Sequence, residues 1–237
     1  MDSTELSSMN NQTGLDWKEI LSSSSAVILG YLPIGFAYGV LGINAGLTVA
    51  QVVLMSVIVL AGSAQLIAVS LFALQITPLS IITTTFFVNL RHMLMSAALS
   101  PFLKSWKGYQ VGLFSFGITD ETFAVHSLRF SQNKTEPKQA VLINLTCQLA
   151  WVSGSLLGAL AGNMIGDVRK FALDFALPAM FIALLILQIR HRHHIIIALI
   201  AALMSIIFWQ IGATQWHVII ASVLAALIGA GVDTWKK

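Results

Sequence analysis

Between Ile20 and Leu90 the chain carries no Asp, Glu, Lys or Arg, an uncharged run of 71 residues. A membrane-spanning helix needs about 20 mainly apolar residues, so this run alone has room for roughly three. A soluble protein of 237 residues has too little interior to hide such a stretch. The whole sequence agrees. It is 57% hydrophobic and 10% charged, whereas soluble domains carry about 25% charged residues. These values exclude a cytosolic enzyme, a secreted disulfide scaffold and a disordered chain.

Apolar segments run over about 21–43, 49–74, 77–100, 109–130, 139–163, 171–189, 194–210 and 216–232. The last two are short, so seven spans compete with eight. Each reads as helix, because strands of a membrane barrel would alternate over about ten residues. The expected fold is therefore all-α: a polytopic membrane helix bundle of about 7–8 transmembrane helices, some broken or kinked, with an internal repeat left open. A polar tail, 1–19, precedes a single transmembrane permease domain, 20–237. The tail has no basic stretch followed by a short apolar core, so it does not read as a cleaved signal.

The net charge of +3 is too small and too dispersed to indicate nucleic acid. In a membrane protein the basic residues report orientation. With every segment crossing, Lys18, Arg129, Lys134, Lys138, Arg190, Arg192, Lys236 and Lys237 share one face. Lys104, Lys107, Arg169 and Lys170 share the other, a bias that favours both termini in the cytoplasm. The single Cys147 lies in an apolar segment and reads as a small buried hydrophobe.

Gly154, Gly158, Gly162 and Gly166 recur every four residues. On a helix they line one face and admit a second backbone, as an internal seam or a subunit interface. Pro33 and Pro178 fall inside apolar segments, where proline removes a hydrogen bond and kinks or breaks the helix. Their placement is read either as two related halves, as in many transporters, or as coincidental kinks. A third candidate break is Ala61-Gly62-Ser63-Ala64-Gln65.

Few ionisable residues remain at membrane depth. Arg91 and His92 follow Asn89-Leu90, and Asp120 and Glu121 follow Thr119. A charge near the bilayer centre costs about 2.5–3.5 kcal/mol on insertion scales, so such groups pair, face a cavity or neutralise. Arg91 bridging to Asp120 or Glu121 would fix the bundle. Thr119 capping a helix whose first turn holds both acids would suit the helix dipole. A polar centre that binds or gates a substrate is the functional reading. Adjacent acids on a helix point about 100° apart, so they cannot both face one partner.

The cluster Arg190-His191-Arg192-His193-His194 reads as a basic loop, since two arginines would repel a metal ion. His126 and His217 stand alone and carry no assigned role. No dinucleotide fingerprint, phosphate loop, metalloprotease motif or nucleophile placed beside a base is present. The expectation is a non-enzyme without cofactor or metal.

Taken in order, Leu32-Pro33-Ile34-Gly35-Phe36-Ala37-Tyr38-Gly39, then Ala61-Gly62-Ser63-Ala64-Gln65, then Asn89-Leu90-Arg91-His92, then Thr119-Asp120-Glu121 resembles the AzlC family over about residues 20–165. That family comprises large subunits of bacterial branched-chain amino acid exporters. The resemblance implies a multi-pass permease of the bacterial inner membrane that moves leucine, isoleucine or valine outward. It also implies pairing with a small AzlD-like subunit of about four spans. An exporter of this kind would draw on the proton motive force. The candidate substrate-binding or gating residues are Pro33, Gly62, Ser63, Gln65, Asn89, Arg91, His92, Thr119, Asp120 and Glu121. Helix breaks at Pro33 and Gly62-Ser63 would offer amides to a carboxylate, and Asp120 or Glu121 would face an ammonium. Two rival readings stay open, a permease or channel for another small solute and a non-transporting membrane subunit.

Overall fold

The computed structural model describes residues 16–162, 164–165 and 192–212, with scattered positions between and after them. The helices are α1 (Trp17–Asn44), α2 (Val49–Ile58), α3 (Gly62–Ala73), α4 (Pro78–Asn89), α5 (Arg91–Leu99), α6 (Gly108–Phe116), α7 (Asp120–Ser131), α8 (Pro137–Ala161) and α9 (Arg192–Gln210). A 3-10 turn, Ser100–Leu103, follows α5. No strand occurs among the described residues. Three of the helices, α1, α8 and α9, are long and apolar enough to cross a membrane. The chain divides into two compact units, 1–180 and 181–237. Of the second, α9 is described as continuous helix with no buried side chain; everything below concerns the first.

Glycines set how α1 meets α8. A Cβ built on Gly154 would lie 2.6 Å from the Leu32 carbonyl oxygen, and one on Gly158 would strike the Phe36 carbonyl. Gly35 and Gly39 return the favour against Trp151 and Ser155, and Gly162 abuts Ile43. Contact positions rise together on both helices, so α1 and α8 run parallel. The small-residue stripe is thus an internal seam along Gly154, Gly158 and Gly162; Gly166 lies outside the described residues. Pro33 lies between seam residues Leu32 and Gly35 but is itself exposed. Of the kink or break expected there, the break does not occur: α1 continues through Pro33 as one helix, with Leu32 and Phe36 on either side held against α8.

Two apolar segments that read as single spans instead double back. Gln65 Nε2 donates to Ser56 Oγ at 3.2 Å, yet nine residues on one straight helix would separate them by about 13.5 Å. α3 therefore returns alongside α2, and the turn is marked by Leu60 at φ +40°, a region a leucine rarely enters. The Phe114 ring lies 4.8 Å from that of His126, where a straight helix would place them about 18 Å apart. Trp106, ahead of α6, donates its indole N–H to the Thr135 carbonyl beyond α7 at 3.1 Å. So α6 and α7 form a second hairpin, turning at Gly117-Ile118-Thr119. Each limb has 9 to 12 residues, about 13–18 Å, half of a hydrocarbon core of about 30 Å.

The segment between the hairpins behaves differently. Leu90 interrupts α4 and α5 but keeps helical angles of −55° and −24°, so the two make one rod of about 33 Å with a local defect. Its start follows α3. Its end joins a cluster in which Met95, Leu99 and Leu103 bury against Trp106, Phe114 and Phe130. The first hairpin thus enters from the end where α1 finishes, and the second from the end where α1 begins.

This is an inverted repeat with an offset of 59 residues. Gln51-Val52-Val53-Leu54-Met55-Ser56 in α2 matches Gln110-Val111-Gly112-Leu113-Phe114-Ser115 in α6 at four of six positions. Gln51 and Gln110 each accept the backbone N–H three residues earlier, from Thr48 at 2.8 Å and Lys107 at 2.9 Å. Pro78 and Pro137 each open the long helix that follows. It is a different correspondence from the Pro33–Pro178 one, for which most of the residues around Pro178 lie outside the described ones.

The hairpin also corrects the sidedness of two lysines. Because α6 and α7 share one end, Lys104 and Lys107 join Lys18, Arg129, Lys134 and Lys138, while the opposite connections, 45–48 and 74–77, hold no charge. Arg129, 5% exposed, locks this end. Its guanidinium donates to Glu19 at 3.0 Å, Ser23 at 3.1 Å and Gln139 at 2.9 Å, tying α7 to α1 and α8. In a Cys147→Ser background, Lys18→Cys and Lys104→Cys should react with an impermeant maleimide from the same side of sealed membranes. Thr48→Cys should react from the other. Labelling of Lys104→Cys together with Thr48→Cys would refute the second hairpin.

Candidate functional site

The two hairpin tips meet. Leu60, Ala61, Gly62 and Ser63 from the first, and Thr119, Asp120 and Glu121 from the second, line one cavity with Tyr31, Ile34, Arg91, His92 and Trp151. Local sequence explains each tip. Thr119 caps α7 by accepting the Thr122 N–H at 3.3 Å, and Thr122 Oγ1 accepts the Thr119 N–H at 2.8 Å. Both acids then fall in the first turn, where the helix dipole favours negative charge. α3 starts differently, at Ala61 with no side-chain cap. Gly62 is required there because the Trp151 indole lies 2.8 Å from where its Cβ would be.

Arg91 joins the tips. Its guanidinium pairs with Asp120 Oδ2 at 2.6 Å and donates to the Ser63 hydroxyl. Glu121 points elsewhere and accepts the Tyr31 hydroxyl at 2.8 Å, while Tyr31 also meets Thr119 at 2.5 Å. The two acids serve different partners, as their angular offset on a helix requires. The ion pair and the cap expected of these residues both form at the cavity. Rings close one wall, with Trp151 at 5.4 Å from Tyr31 and 5.9 Å from Tyr38. The enclosed space is about 20 Å³, room for one water molecule and not for a metabolite. Any organic ligand requires the tips to part.

The family description AzlC protein matches residues 26–165, more than half of the chain. The chain belongs to the AzlC family. Among AzlC relatives, an uncharacterized membrane protein of Archaeoglobus fulgidus is 31% identical over 216 residues, covering 90% of this chain and 91% of its own. Inner membrane protein YgaZ of Escherichia coli is 26% identical, covering 87% and 88%. The branched-chain amino acid transport protein AzlC of Bacillus subtilis is 25% identical, covering 68% and 63%. No solved structure matches. The chain is thus a membrane protein of a family with a named transport member.

Of the residues singled out in the sequence, Gly62, Ser63, Arg91, His92, Thr119, Asp120 and Glu121 line the cavity. Pro33, Gln65 and Asn89 are not among its lining. Gln65 is fully buried in a chain of hydrogen bonds with Ser56 and Ser155, at 3.2 and 2.7 Å, which holds the first hairpin to α8. Asn89 lies beside the cavity, its carbonyl 3.0 Å from His92 Nδ1. Sequence reading missed Tyr31, Ile34, Leu60 and Trp151. A tryptophan far from either end of an apolar segment was the available signal, because tryptophans otherwise gather at the membrane interfaces. It also left His126 without a role. His126 Nε2 donates to Asn144 Oδ1 at 2.7 Å, and Asn144 donates to the Phe114 carbonyl at 2.9 Å, so it braces the second hairpin on α8. Cys147 is buried and free. Among the described residues no three His, Cys, Asp or Glu side chains gather as a metal site.

Proposed function

We propose that this protein exports neutral, apolar amino acids such as valine, leucine or isoleucine across the inner membrane, driven by the proton motive force. It does so with a small AzlD-like membrane subunit of about four spans. One observation carries the reading: two half-membrane hairpins from opposite ends place their tips on one small cavity that holds an arginine, two acids and an apolar wall. Paired broken elements of inverted repeats line the central site of many transporters. Parting the first tip would open the cavity to one side, and parting the second to the other. The name of the Bacillus subtilis relative supports the cargo.

The same reading sets the topology. Six Lys and Arg residues at the end where α1 begins, against none in the opposite connections of residues 17–161, favour that end as cytoplasmic. With 49–74 and 109–130 re-entrant, the segments 21–43, 77–100 and 139–163 are those of residues 17–161 that cross fully.

The test is efflux of labelled valine from proteoliposomes under an imposed proton gradient, with and without the small subunit. Wild-type protein should release valine faster than protein-free vesicles. Glu121→Gln, which keeps the shape but not the charge, should slow release by at least about tenfold, the scale of a lost charge-assisted hydrogen bond. An unchanged rate in Glu121→Gln would remove that acid from the mechanism. Release of some other solute in place of valine would favour a different permease.

A further inference from the structure

We propose that Arg91 and Asp120 select an α-amino acid by exchanging their mutual ion pair for two pairs with the substrate, Arg91 taking the carboxylate and Asp120 the ammonium. The inference rests on the transport reading above for the location of the site and adds how that site discriminates.

The cavity is too small for an amino acid, so entry must separate the tips. The Arg91 contacts are what bridge them, to Ser63 on one tip and Asp120 on the other. Parting the tips alone would leave a guanidinium and a carboxylate unpaired at half-membrane depth, which is costly. A zwitterion removes that cost. An α-amino acid carries one anionic and one cationic group on the same carbon, so it replaces both partners with no change in net charge. A solute with one charge rescues only one of the two residues, and an uncharged solute rescues neither.

The tips also differ in a way that fixes the direction of binding. Beside Ser63, α3 begins without a side-chain cap. Arg91 Nε is buried with no partner, as is the indole N–H of Trp151, a cavity residue only 2% exposed. These are unspent donors, suited to a carboxylate. The tip of α7 is already capped by Thr119 and carries Asp120 and Glu121, which are acceptors suited to an ammonium. Ile34 and Leu60 remain to meet an apolar side chain.

Solute counterflow of labelled valine in proteoliposomes of the full chain tests the exchange. The competitors are unlabelled valine, 2-oxoisovalerate (carboxylate only) and isobutylamine (ammonium only). Valine should compete, while each single-charge analogue should need at least about a hundredfold higher concentration, as for one lost charge pair that leaves its protein partner stranded. Asp120→Asn should weaken valine by a similar factor and let 2-oxoisovalerate compete, because Arg91 is then left without its carboxylate. Asp120→Glu should restore part of the valine affinity. Competition by either analogue within tenfold of valine in the wild type would overturn the exchange, and this arm needs no variant to fold. Wild-type valine affinity in Asp120→Asn would overturn it as well. Counterflow of a different α-amino acid, with its own single-charge analogues excluded, would support the exchange while refuting the branched-chain cargo.

Discussion

Gly158→Leu should leave almost no monodisperse protein after detergent extraction. The Cβ it introduces meets the Phe36 backbone, carbonyl and Cα alike, rather than a side chain that can rotate away. Relief requires α1 and α8 to separate. That separation would also open the contacts of Gly35, Gly39 and Gly154, which share the same line. Overpacking typically costs about 1–3 kcal/mol, and a backbone-on-backbone clash in a parallel seam belongs at or above the top of that range. About 3 kcal/mol shifts a folding equilibrium by more than a hundredfold. Gly112→Leu is the matched control, since nothing lies within 4 Å of a Cβ at Gly112. Size-exclusion profiles and thermal unfolding of the two variants decide the point. Equal stability would mean that the seam is not where the first unit is held together.

Arg91→Leu should both destabilise the protein and stop transport, and a double variant separates the two effects. Removing one partner of a buried ion pair costs about 3–5 kcal/mol because the other charge is stranded. Here the side chains are 26% and 15% exposed, so water can reach Asp120, and about 2–3 kcal/mol is the better expectation. Combining Arg91→Leu with Asp120→Leu removes both charges. Buried pairs replaced by apolar residues often match or exceed the original stability, so unfolding temperature should recover. Valine efflux should stay at least a hundredfold down, because neither end of the amino acid then has a partner. Efflux that recovers together with stability would reduce the pair to a scaffold element.

Much of this protein is legible in its sequence alone. The uncharged run from Ile20 to Leu90 demands a bilayer, and helices follow because backbone groups in lipid must be satisfied internally. The cost of charge at membrane depth isolates Arg91, Asp120 and Glu121 as a short set, and all three line the cavity. The spacing of Gly154, Gly158 and Gly162 announces a close helix contact. Even the repeat is written in the chain, in the Gln-Val-x-Leu-x-Ser segments at 51–56 and 110–115, though nothing local says that the second copy is inverted.

Direction is what the tertiary structure decided. Hydropathy reports that a segment lies in lipid, and an apolar stretch of some 22 residues reads the same whether it crosses or turns back halfway. The turn at Leu60 is marked in the sequence only by the candidate break at Ala61-Gly62-Ser63, which says that the helix stops and not that it reverses. The leucine at positive φ is held by its surroundings and not by its propensity. Only contacts between residues distant along a helix axis, Gln65 with Ser56 and Phe114 with His126, require the reversal. That reversal brings Lys104 and Lys107 to the end where α1 begins and sets the two tips face to face. Partner choice among the charges was likewise not local. Asp120 and Glu121 are neighbours in sequence, and it is the placement of Arg91 and Tyr31 by other helices that gives them different work.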